Sequence, residues 1–196
     1  LARAGSAKGL KELLACLDQP DPSVVEDALF ALSQNEDAAE ALAERLADCE
    51  DATMARGLAR ALTPHARVIP EKRLAKLARE YITLACGGQG GDERRSALLT
   101  VLIAAETPVL AAEALKEAVR RREAGEPLRG LALLKSINGV HGWSDAHRIE
   151  LALAGMTAAP LDLTRSARQT DSRLRLFEEV LSRTEPVPLA KAGCSC

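Results

Sequence analysis

Aromatic side chains are almost missing from this sequence: Phe30, Tyr81, Trp143 and Phe177 make up 2% of its 196 residues. β-Branched residues are also few, while Ala and Leu dominate, and those two have the best intrinsic helix propensities. Close-packed helices are therefore expected, and no strand-forming run of useful length interrupts them. No stretch approaches the roughly 18 consecutive apolar residues that a membrane-spanning helix needs. Nor is there an excess of either charge. The net charge of −2 gives no global attraction to nucleic acid or to anionic lipid.

Chemical motifs are missing as well. There is no phosphate-binding Gly-rich loop, no nucleophile elbow and no paired metal-binding Cys motif, and "GGQGG" at residues 87–91 follows no strand, which makes it a flexible corner. Five cysteines are an odd number. Cys16, Cys49 and Cys86 are scattered inside helical patterns, so no disulfide framework is implied and a reduced, cytoplasmic protein is expected. The first residue is Leu1, and both a trimmed end and a removed leader fit the missing initiator Met. No cofactor is implied.

What is present is a repeated corner. In residues 17–34, "LDQPDPSVVEDALFALSQ", two prolines and two aspartates fall within five positions between two helical patterns. Leu10, Leu13, Leu14 and Leu17 precede the break at helical spacing, and Val24, Val25, Ala28, Leu29, Ala31 and Leu32 follow it. Asp21 suits an N-cap, and Pro22 suits the first helical position, where its missing N–H costs nothing. The break is a corner between two antiparallel helices. About thirty residues later the pattern returns: Leu42 and Leu46 occupy a first helix, "DCED" marks the corner, and Ala61-Leu62 echoes Ala31-Leu32.

A third pair is read in residues 70–106, with Asp92 capping its second helix. A fourth begins at Thr107-Pro108 and turns at Glu126-Pro127. A fifth opens at Ser144 and closes with a helix over residues 169–183 carrying Phe177. The reading is one all-α domain over residues 1–184, a right-handed α-solenoid of about five helix pairs. Residues 185–196 are expected to form an extended tail, because Pro186 and Pro188 resist helix formation.

The first unit resembles a HEAT-like repeat of the kind found in phycobilin-lyase-type α-solenoids. Asp18, Asp21, Pro22, Val24, Ala28, Ala31 and Leu32 carry the resemblance, and the second unit keeps Ala61, Leu62 and the acidic corner without the proline. The specific likeness covers roughly a third of the chain. It implies a solenoid with a habit of binding proteins and no universal catalytic residue.

Stacking second helices at a thirty-residue period sets Glu26 and Phe30 beside Arg56 and Arg60, with Ser96 and Thr100 next in line. An exposed Phe between acidic and basic groups suits a protein or peptide ligand; a phosphate backbone would want a continuous cationic stripe with stacking aromatics. The same residues also fit a solvated helix face. Arg94-Arg95 and Arg120–Arg122 are candidates for anion contacts, although the latter run ends a helix, where positive charge complements the macrodipole.

"HGWSDAHRIE" at 141–150 is the densest chemical segment. His147 and Glu150 share a helix face there, and His141 and Asp145 could complete a metal shell; equally, Trp143 is a hydrophobic anchor and Ser144 an N-cap. Cys194 and Cys196, one residue apart, could hold a soft metal ion between them.

The expected function is a non-catalytic scaffold or adaptor holding a protein or peptide through Glu26, Phe30, Arg56, Arg60 and Trp143. The alternative is an accessory enzyme, either of bilin-lyase type, with a pocket near Trp143 or Cys86, or of HEAT-like nucleic-acid-processing type, with a basic groove.

Overall fold

The computed structural model describes residues 7–87 and 91–157, and among these every regular element is helical. The α-helices are α1 (Ala7–Cys16), α2 (Pro22–Leu32), α3 (Ala39–Asp48), α4 (Ala52–Leu62), α5 (Glu71–Cys86), α6 (Asp92–Ala104), α7 (Val109–Glu123), α8 (Pro127–Ser136) and α9 (Asp145–Thr157). Short 3-10 turns at Glu36–Ala38 and Thr63–Val68 precede α3 and follow α4. Among the described residues, no helix is long and apolar enough to cross a membrane. The closing helix expected over 169–183 and the tail over 185–196 lie outside the described residues.

The corners follow the local chemistry. Asp21 is extended, its side chain accepts from the Ser23 N–H at 2.9 Å, and Pro22 is the first residue of α2. Asp51 does the same for α4, accepting from the Met54 N–H at 2.7 Å. At α6 the expectation fails. Gly91, not Asp92, is the N-cap: it turns the chain in the left-handed region at φ +79°, leaving Asp92 as the first helical residue, paired at 2.7 Å with Arg95. Among the second helices the thirty-residue spacing also holds only once. Pro22 to Ala52 is thirty residues, but Ala52 to Asp92 is forty, because the 3-10 turn and the 16-residue α5 intervene.

Each helix packs on its chain neighbour, α1 on α2, α3 on α4, α5 on α6 and α7 on α8. From α2 onward, helices also pack on the helix two places along, except α6 on α8. One row runs α3, α5, α7, α9 and the other α2, α4, α6. Leucines such as Leu32, Leu42, Leu46, Leu58 and Leu62 and alanines such as Ala28, Ala55, Ala59 and Ala114 are buried together in one core. The second row bends at α8, which packs on α5, α7 and α9. Two contacts draw it there. A Cβ on Gly130 would lie 3.0 Å from the Ala118 carbonyl oxygen, so α8 touches the α7 backbone. Ser136 Oγ donates to the Leu133 carbonyl at 2.7 Å, so the buried Tyr81 hydroxyl donates to Ser136 Oγ at 3.0 Å and ties α8 to α5.

Charges along the first row are used between neighbours. Arg45 of α3 bonds Asp18, Arg73 of α5 reaches Glu40 at 3.1 Å and Glu44 at 2.9 Å, and Lys76 reaches Asp48 at 2.7 Å. Arg94 of α6 donates to the Ala47 carbonyl at 2.9 Å, placing positive charge at the C-terminal end of α3. The arginine cluster at 120–122 is likewise occupied: Arg120 bonds Glu117, Arg121 bridges Glu117 and Glu126, and Arg122 bonds the buried Glu150 at 2.7 Å. The Arg120 hydrogen bond, supplemented by that of Arg121, holds the Glu117 carboxyl below its ordinary value of 4.5.

Three outcomes test this account. Leu32 has no exposed surface; Leu32→Ala should cost about 2–5 kcal/mol in chemical denaturation, and a loss below about 0.5 kcal/mol would place it outside the core. Gly130→Val should cost about 1–3 kcal/mol, because the wall it meets is backbone and cannot yield as a side chain would. Glu117 has a folded-state pKa below its unfolded value, so its contribution is complete above about pH 4.5 and fades as pH falls through the lowered value. Glu117→Gln should therefore lower the unfolding midpoint at pH 7, with the gap to wild type closing in acid; a gap that does not change with pH contradicts this assignment.

Candidate functional site

Glu26, Phe30, Arg56 and Arg60 line one groove, of about 840 Å³, between α2 and α4. The two helices run parallel. His65, just beyond α4, donates from Nε2 to the carbonyl of Ser33, just beyond α2, at 2.8 Å, so both C-termini lie at one end. Midway along, a Cβ on Gly57 would come within 2.7 Å of Leu29 Cδ1. Gly57 thus seats Leu29 and forms the narrow floor. Val25 and Leu29 from α2, with Met54 and Ala61 from α4, supply the apolar lining. Gln19, Pro20 and Asp51 close the N-terminal end, and Ser33 and Pro64 the other.

Helical spacing explains the polar rim. Glu26 and Phe30 are one turn apart on α2, as Arg56 and Arg60 are on α4. Phe30 is 71% exposed, whereas Tyr81 is buried and Trp143 half-buried, so among the described residues it is the exposed aromatic. Burying its ring on a ligand would contribute roughly 1.5–3 kcal/mol before the costs of association. Arg56 reaches across to Glu93 of α6 at 3.6 Å, and Asp51 is engaged in capping α4. Among the described residues, Glu26 and Arg60 have no charged or hydrogen-bonding partner. Ser96 and Thr100 are exposed on α6 and do not line this groove.

A second groove of about 390 Å³ lies where the second row bends, between α6 and α8. Tyr81 and Ala85 form its floor, and Asp92, Arg95, Ser96, Leu99, Ala132 and Ser136 its walls. Its charges are paired with each other through Arg95 and Asp92, and the Tyr81 hydroxyl is engaged by Ser136.

Trp143 lines neither groove. Its ring stacks on His147 with centroids 4.8 Å apart and an interplanar angle of 28°, in contact with the core. The Ser144 N–H donates to His147 Nδ1 at 3.2 Å, so the proton sits on Nε2, which donates to the Ala111 carbonyl at 2.8 Å. The His147 ring thus satisfies the Ser144 N–H at the start of α9 and, through the Ala111 carbonyl, fastens α9 to α7. Gly142, at φ +83°, lies so close to Pro108 that a Cβ would meet it at 2.6 Å, which fixes the loop carrying Trp143. With Glu150 on Arg122 and Asp145 on Arg148 at 2.7 Å, the acids of this segment are committed. No group of three metal-binding side chains exists among the described residues.

The cysteines differ from one another in setting. Burial pushes the Cys86 thiol up, and burial also pushes up that of Cys49, whose Sγ donates to the Asp51 carbonyl at 3.3 Å. Neither carries the thiolate character of a reactive site. Cys194 and Cys196 lie outside the described residues. Sequence reasoning found the rim of the first groove but missed its floor. The available signal was Gly57, a glycine inside a helix, where a close approach is the usual reason for the residue.

No protein-family model, curated protein or solved structure matches this chain.

Proposed function

We propose that the chain is a right-handed α-solenoid of about five HEAT-like helix pairs that serves as a non-catalytic scaffold, holding a protein or peptide segment in the groove between α2 and α4. The two rows of helices and the capped corners at Asp21 and Asp51 support the solenoid reading. The observation that carries the function is the groove itself, which collects an apolar floor, an exposed Phe30 and two uncommitted opposite charges on one surface. Helix pairs that contact only their neighbours leave such surfaces continuous and rigid, which suits extended ligands. The accessory-enzyme reading needs a pocket at Trp143 or Cys86, and neither residue lines either groove. A nucleic-acid groove needs several uncompensated cations, whereas Arg60 stands here against Glu26.

Selection of binders from a random peptide library on the immobilised protein tests the reading. The selected peptides should lose at least about tenfold in affinity for a Phe30→Ala/Arg60→Ala double variant whose unfolding midpoint matches the wild type. Peptides indifferent to both substitutions would remove the groove as the binding surface.

A further inference from the structure

The charges on the groove constrain its occupant. Glu26 and Phe30 are the fifth and ninth residues of α2, and Arg56 and Arg60 the fifth and ninth of α4. With the helices parallel, Glu26 and Arg60 sit at opposite corners of the rim, Glu26 toward the helix N-termini and Arg60 toward the C-termini. Four residues of helix rise about 6 Å, and packed helix axes lie about 8–10 Å apart, so the diagonal is roughly 10–12 Å. The ends differ in surroundings as well. Asp51 joins Glu26 at the N-terminal end, where Arg56, level with Glu26 on the facing helix, is drawn toward Glu93 of α6 at 3.6 Å. At the C-terminal end Arg60 is accompanied by Ser33 and Pro64, and no carboxylate lines the groove there.

We propose that the groove takes a polypeptide segment of bipolar charge: a basic residue opposite Glu26, an apolar residue on Phe30 and the Leu29–Gly57 floor, and an acidic residue opposite Arg60. This rests on the scaffold reading above and adds the direction and chemistry of the ligand. An extended chain advances about 3.3 Å per residue, so a basic and an acidic residue three or four positions apart span the diagonal with the apolar residue between them. The arrangement fixes polarity. A segment laid in the opposite sense sets like charges together at both corners, which opposes binding.

The test compares peptide libraries selected on wild type, on Arg60→Glu and on Glu26→Lys, with affinities of the leading synthetic peptides measured by fluorescence anisotropy. Wild type should enrich peptides with an acid on one side of an apolar anchor and a base three or four residues away. Arg60→Glu should replace that acid by Lys or Arg, and Glu26→Lys should replace the base by Asp or Glu. The leading wild-type peptide should bind Arg60→Glu at least tenfold more weakly and recover most of the loss when its own acid is changed to Lys.

Peptides sensitive to Phe30→Ala but with no charge preference, or with the same preference on all three proteins, overturn the bipolar ligand and leave the scaffold reading standing. Peptides insensitive to Phe30→Ala remove both. Sedimentation velocity covers the remaining occupant: a wild-type dimer that Arg60→Glu dissociates would assign the groove to a second copy of this chain and overturn the proposal. Both charge variants alter exposed side chains, and should one fail to fold, the other carries the same comparison from its own end of the groove.

Discussion

Close approach of helix backbones is the constraint on which this structure depends. With aromatics at 2% of the sequence, there are few large side chains to hold helices apart, many buried residues are alanine, and a glycine stands where α8 meets the α7 backbone. Gly130 sets α8 against the Ala118 carbonyl, and Gly57 admits Leu29 between α2 and α4. Leucine then has a narrow, uniform gap to fill, which is why so many leucines are completely covered. The same thinness has a cost. A glycine inside a helix loses about 1 kcal/mol relative to alanine, a loss that packing must offset.

Charge is distributed unequally between the two rows. On the row of α3, α5 and α7, acids on one helix meet bases on the next, as at Glu40 and Glu44 with Arg73, Asp48 with Lys76, and Arg79 with Glu113 at 4.0 Å. Such exposed pairs contribute at most about 1 kcal/mol each, so their main effect is to fix which helix face meets which and to leave little charge free for a ligand. On the other row, Arg56 with Glu93 and Arg67 with Glu106 use the charges of α4 and its following turn. Pairing therefore runs toward α6 and stops short of the α2 side, where Glu26 and Arg60 stay uncommitted.

Legibility from sequence followed the range of the interaction. The caps at Asp21 and Asp51 were readable because an aspartate bonding an N–H two or three residues ahead is a local event. The shared rim of Glu26, Phe30, Arg56 and Arg60 was readable because Pro22 and Ala52 start equivalent helices thirty residues apart. The cap at α6 was misassigned, since Asp92 has the right side chain but Gly91 has the backbone freedom to turn first. The bend at α8 was not readable, because it follows from a Tyr81–Ser136 bond across 55 residues and a glycine contact with a carbonyl on another helix. His147 gave no warning of its role for the same reason: its partner, the Ala111 carbonyl, lies 36 residues away.

The groove between α2 and α4 owes its shape to how that pair is braced. His65 joins the two C-terminal ends through Ser33, Gly57 and Leu29 interlock at the centre, and α6 supports the back of α4 through Glu93. The corners at Asp21 and Asp51 hold the N-terminal ends with hydrogen bonds made within the turn. Every brace lies beside or beneath the groove, and none uses Phe30, Glu26 or Arg60. The rim side chains therefore project from a backbone already fixed, so a ligand would order side chains without reorganising helices, which is the condition under which a modest contact area yields useful affinity. At the second groove the Tyr81 hydroxyl is engaged by Ser136 and Arg95 is paired with Asp92, so its polar groups are already turned to one another and less of its rim is left for a ligand.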